Sequence, residues 1–178
     1  MPLSLQQKIK DPRQGVYLVG TTPPKAGTDA EKTERIASKL LKRLNEIEFD
    51  GLVVYDIQDE SSRVEAERPF PFHATLDPRD YGSILRKLAQ RDVITYKSVA
   101  QRDAADFNAW LSDTSDNYQL HNLVLVGSPS SNGTIKLSLA DAYAQLAQHP
   151  ADFYLGGVAI AERHASKGNE HERLIEKS

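Results

Sequence analysis

The sequence predicts an α/β fold: a parallel sheet assembled from successive strand–helix units. Two kinds of segment carry that expectation. Short β-branched runs are apolar at successive positions, as in strands covered on both faces. Between them lie stretches whose apolar residues recur with helical period. The two kinds alternate regularly along 178 residues, a length that suits one domain.

The first strand is expected at Val16–Val19, followed by a rigid extended turn at Thr22-Pro23-Pro24-Lys25. The first long helix follows, with Ile36, Leu40, Leu41, Leu44 and Ile47 on one stripe and Asp29 as its cap. Leu52–Tyr55 reads as the second strand. The connection from Ile57 to Pro78 is long for a βα loop and carries Arg68-Pro69-Phe70-Pro71-Phe72. Asp77-Pro78 opens a helix striped by Tyr81, Ile84, Leu85 and Leu88, and Val93–Val99 gives the third strand. Phe107, Trp110 and Leu111 mark the next helix, and Leu123–Val126 the fourth strand. A Ser/Gly-rich loop, Gly127 to Gly133, precedes a helix through Leu139, Tyr143, Leu146 and Ala147 that ends before Pro150. Phe153–Ile160 is expected as a buried fifth strand, and a last helix begins near Asn169.

Five βα units in order imply right-handed crossovers. A closed eight-unit barrel takes about 250 residues. The chain therefore reads either as an open doubly wound sheet or as about five units of a TIM-type (β/α)8 barrel, truncated after the fifth strand. The second is preferred because the sequence stops inside a helical pattern, so residues 1–178 are taken as one partial barrel domain.

Composition narrows the function. The net charge is −3 and the acidic and basic residues are interleaved, as in solvated helix faces, which argues against a nucleic-acid partner. There are no cysteines, so disulfides, thiolate metal sites and cysteine nucleophiles are excluded. No apolar run nears the ~20 residues of a membrane helix, and Met1–Gly15 lacks a signal-peptide core; a cytoplasmic location is expected.

Two stretches hold candidate chemistry. The Gly127–Gly133 loop offers backbone and hydroxyl donors to a phosphate or cofactor edge, although a plain turn has the same composition. The end of the fifth strand runs into Glu162, Arg163, His164, Glu170, His171 and Arg173. Barrel enzymes place their sites at such strand ends. The spacing matches no standard metal-ligand pattern, so no metal is expected. The competing reading of this cluster is a hydrated loop with surface ion pairs.

In motif order the chain resembles the flavin-dependent methylenetetrahydrofolate reductases, as a divergent branch. The resemblance rests on Thr21-Thr22-Pro23-Pro24-Lys25, on Leu123 to Pro129, on Val158-Ala159-Ile160-Ala161-Glu162-Arg163-His164, and on the basic helix from Glu170 to Lys177. It spans about residues 15 to 178. It implies an oxidoreductase of one-carbon metabolism that uses FAD and NAD(P)H to reduce 5,10-methylenetetrahydrofolate to the 5-methyl form. By the same resemblance Asp56, Tyr96, Val126, Gly127, Ser128, Ile160, His164, Glu170, Arg173 and Lys177 lie on the flavin side.

Two departures follow. The family's first strand presents a proton-donating Glu, and Gly20 stands at that position. The family's Arg-Gly-Asp at the fourth strand is replaced by Val126-Gly127-Ser128. A non-catalytic flavin- or folate-binding module is the alternative that Gly20 favours, and a small doubly wound phosphate binder using Ser128 to Gly133 is a third. If the barrel is open, its edge strands are expected to drive self-association, most simply as a homo-oligomer.

Overall fold

The structure is a computed structural model that describes residues 3–58, 73–127 and 134–175. Five parallel strands form one sheet in chain order: β1 (Leu18–Thr21), β2 (Gly51–Val54), β3 (Asp92–Ser98), β4 (Asn122–Val126) and β5 (Tyr154–Gly156). A doubly wound sheet reverses its strand order partway. Here the order never reverses, which is the arrangement of successive barrel units.

The connecting helices start where their caps dictate. α2 (Ala30–Leu44) opens on Asp29, whose carboxylate accepts from the Lys32 N–H. α3 (Pro78–Ala89) opens on Asp77 with proline in its first turn. α4 (Ala104–Asp116) and α5 (Leu139–Gln148) are capped by Asp103 and Ser138.

These helices cover one face of the sheet. Ala37, Tyr81 and Leu85 meet Leu52, Val54 and Val93 in one buried cluster. Phe107, Trp110, Leu111, Ala142 and Leu146 meet Leu123 and Leu125 in another. Among the described residues, no helix packs on the opposite face towards the carboxyl ends of the strands. At the amino ends it is covered by α1 (Leu5–Lys10), a short helix with a reciprocal Ser4/Gln7 cap. Leu5 is buried, its N–H donates to Asp92, and Gln6 reaches Asn122. No helix among the described residues is long and apolar enough to cross a membrane.

Several boundaries differ from expectation. β1 begins two residues later than Val16, because Tyr17 is engaged with Asp50 ahead of the ladder: its N–H donates to the carboxylate and its carbonyl accepts the Asp50 N–H. The expected buried strand at Phe153–Ile160 shrinks to three residues, and Tyr154 and Leu155 are exposed. Among the described residues β5 pairs only with β4, and an edge strand stays wet on its outer side. A helix not expected from the sequence, α6 (Ala161–Lys167), follows β5 and ends on Gly168 at φ 72°, the left-handed conformation glycine adopts without strain. α7 (Glu170–Ile175) matches the helix expected near Asn169.

Candidate functional site

In-register parallel pairing sorts the strand residues into rows. Leu52, Val54, Val93, Thr95, Lys97, Leu123 and Leu125 face the helices, so the alternate positions face the open side. One open-face row runs Gly20, Val53, Ile94, Asn122 and Tyr154. The row above it, nearer the carboxyl ends, runs Tyr55, Tyr96, Val124 and Gly156. Ser98 and Val126 stand at the top.

The tyrosines dominate this face. Their rings meet edge to face, with centroids 5.0 Å apart and planes at 68°. Burial raises the Tyr96 hydroxyl above its ordinary value, with Tyr55 adding to the effect. Tyr55 lies across the neighbouring strand: a Cβ built on Gly20 would sit 2.7 Å from its hydroxyl and 2.9 Å from Cε2. Gly20 is thus the seat of the Tyr55 side chain.

Behind the tyrosines the next residue of each strand turns to the helix face. Asp56 and Lys97 form an ion pair at 3.1 Å, each side chain only 6% exposed. Asp56 also accepts the Ser98 N–H at 2.8 Å and the Gln58 amide. The Lys97 ammonium lies 5.5 Å from the centre of the Trp110 ring. Beyond it, Arg79 is held between the rings of Trp110 and Tyr118 and bonds to Asp77 and Asp113. Burial pushes the Asp77 carboxyl up, but bonds from Arg79 and the nearby Lys97 charge outweigh it and hold the group below its ordinary value. The Tyr118 hydroxyl, which donates to Asp80, is pushed up to about 12 by that bond and by burial.

The Pro23-Pro24-Lys25 turn lies at the same end. Leu76 N–H donates to the Pro24 carbonyl, Ala26 N–H donates to Ala74, and Lys25 bridges to Thr75. Two open grooves, of about 700 and 820 Å³, lie at the opposite end around Lys8, Phe49, Asp50 and Arg91. They are shallow and far from the strand ends where barrel sites form, so they are not taken as the site.

The residues singled out in the sequence fall in three places. Tyr96 and Val126 share the open face. Asp56 is turned to the helix face and committed to Lys97, and a Cβ on Gly127 would meet Leu139 at the start of α5. Ile160, Glu170 and Arg173 form a knot after β5: the buried Glu170 carboxylate accepts the Ile160 N–H at 3.0 Å and a guanidinium N–H of Arg173 at 3.1 Å. His164 is exposed and packs edge to face on His171, with ring centres 5.6 Å apart. Ser128, Lys177 and the Arg163 side chain lie outside the described residues, as does most of the Ile57–Pro78 connection.

Tyr55 stands in the same row as Tyr96 but is not among the residues the resemblance implies. The signal was present: Val53-Val54-Tyr55-Asp56 and Ile94-Thr95-Tyr96-Lys97 are matched quartets, and in-register pairing puts Tyr beside Tyr and Asp beside Lys.

No family model matches the chain. No curated protein matches it either. Among solved structures, it is similar to an uncharacterized protein from Clostridium thermocellum that binds two copies of 5-methyl-5,6,7,8-tetrahydrofolic acid. The two are 33% identical with a TM-score of 0.76, over 97% of this chain and 54% of that chain. This chain thus spans about half the length of that neighbour.

Proposed function

We propose that this chain is a βα domain that binds a reduced folate at the carboxyl ends of its strands. The observation that carries the reading is the 33% identity, over 97% of the chain, to a protein that binds 5-methyltetrahydrofolate. The tyrosine row supports it, because a heteroaromatic ligand needs flat apolar surface where barrel sites form. Calorimetric titration of the chain with 5-methyltetrahydrofolate tests it. Saturable binding is expected, and no heat of binding at millimolar ligand would refute it.

A second reading adds chemistry: the flavin-dependent reduction of 5,10-methylenetetrahydrofolate. One observation favours it. The Tyr55 hydroxyl occupies the space above Gly20, so a proton-bearing group stands where the resembled family has its acid. As the ring C–N10 bond opens, that hydroxyl would place its proton on N10, which keeps the electron pair of the broken bond. FAD, when bound, would relay the hydride from NAD(P)H that completes the methyl group. Arg173, with its side chain 34% exposed beyond its bond to Glu170, and exposed His164 are the described residues suited to its phosphates and hydroxyls. Tyr55→Phe is then expected to lower NAD(P)H-driven turnover by about 10² or more without loosening folate binding. Unchanged turnover in that variant would remove the acid role. Flavin fluorescence titrations tell the cofactor part: Arg173→Ala and His164→Ala should weaken FAD binding, and equal binding by both puts the flavin elsewhere.

A further inference from the structure

The open face carries a more specific assignment, which rests on the folate-binding reading: we propose that Tyr55 and Tyr96 together form the surface on which the pterin ring stacks. Large side chains that face the interior at the carboxyl end of barrel-type strands meet the ligand first. Here the tyrosine row ends in the small Gly156 on one flank and leans over Gly20 on the other. Tyr55 is 37% exposed, while Val53 and Val124 around it are buried. The edge-to-face contact sets the rim of one ring on the face of the other and leaves both side chains partly accessible to solvent.

The pair is also held in place before any ligand arrives. The Asp56–Lys97 ion pair and the Ser98 N–H bond to Asp56 lock the two strand ends at one level, and each tyrosine immediately precedes a locked residue. Gly20 admits the Tyr55 ring over β1, where any Cβ would force it aside. Preorganised rings lose little freedom on binding. Stacking needs only a flat π-system, which the pterin supplies and the flexible p-aminobenzoylglutamate tail supplies less well. Replacing a stacking aromatic by alanine typically costs the equivalent of about 10- to 100-fold in affinity.

The experiment is a titration of the full chain with 5-methyltetrahydrofolate and, separately, with p-aminobenzoylglutamate, a fragment without the pterin. Wild type, Tyr55→Ala, Tyr55→Phe and Gly20→Ala are compared. Tyr55→Ala should weaken the whole ligand by about 10-fold or more, and Gly20→Ala should weaken it by displacing the ring. Tyr55→Phe should retain affinity, and the fragment should bind wild type and Tyr55→Ala alike. Tyr55→Trp guards against an unfolded alanine variant: its added indole fluorescence, over that of buried Trp110, should be quenched at saturation. Equal binding of the whole ligand by wild type and Tyr55→Ala overturns the stacking assignment but leaves folate binding standing. So does an unquenched indole, or a fragment that loses affinity in Tyr55→Ala as the whole ligand does. No binding to wild type overturns both.

Discussion

Asp56, which the resemblance put on the flavin side, shows how strand parity decides what a carboxylate can reach. It lies two residues past β2, and its side chain points to the helices and pairs with Lys97, both nearly out of solvent. Breaking a buried pair by removing one partner leaves an uncompensated charge and costs about 3–5 kcal/mol. Asp56→Asn and Lys97→Met are each expected to lower unfolding stability by that order, and the double variant by less than their sum. Additive losses in urea denaturation would show that the two are not coupled. The sequence marked Asp56 as a ligand contact because resemblance aligns positions, whereas the face depends on strand parity, which one residue reverses. The same parity, applied to the matched Tyr55-Asp56 and Tyr96-Lys97 steps, would have brought Tyr55 into view.

At the level of elements, the long amphipathic helices were readable from period and caps, and α1 was not, because six residues hold too little pattern to count. Its importance lies in what it covers. Leu5 packs under the amino ends of β2 and β3, 3.1 Å from where a Gly51 side chain would begin. Leu5→Ala should cost roughly 2 kcal/mol or more, read as a lowered denaturation midpoint; an unchanged midpoint would mean that α1 is dispensable. The α3–α4 clamp around Arg79 brings a pH dependence. Asp77 titrates lower folded than unfolded, so its contribution is fully present above about pH 4 and is lost as pH falls through the lowered value. Tyr118 is the opposite case: its contribution is present below about pH 10 and is lost as pH rises through about 12. Urea midpoints should fall at both extremes, the acid limb flattening in Asp77→Asn and the alkaline limb in Tyr118→Phe. Limbs as steep as wild type in these variants would assign the dependence to other groups.

For the molecule as a whole, the alternation of apolar runs and helical stripes was enough to read a parallel sheet of five units in order. The barrel order was preferred over the doubly wound one, and the unreversed order β1 to β5 agrees; the pattern of each segment alone does not fix it, because strand neighbours are set by contacts distant in the chain. The short β5 was overread since apolarity at Tyr154 and Leu155 looks the same at an edge as in a core. Among the described residues, β1 and β5 each pair on one side only, and Tyr17, Leu18, Tyr154 and Leu155 are exposed. Light scattering should therefore show a mass that rises with concentration, and a monomer across the micromolar range would mean the edges are protected. The proposed function puts a reduced folate on the face of the sheet away from the helices, at the carboxyl ends of the strands. The most direct measurement is a map of backbone amide NMR shifts as 5-methyltetrahydrofolate is added to isotope-labelled chain. Perturbations concentrated at Gly20, Tyr55, Tyr96, Ser98 and Val126 are expected. Perturbations confined to the Lys8–Asp50–Arg91 end of the sheet, or to the outer surfaces of α2–α5, would contradict this placement.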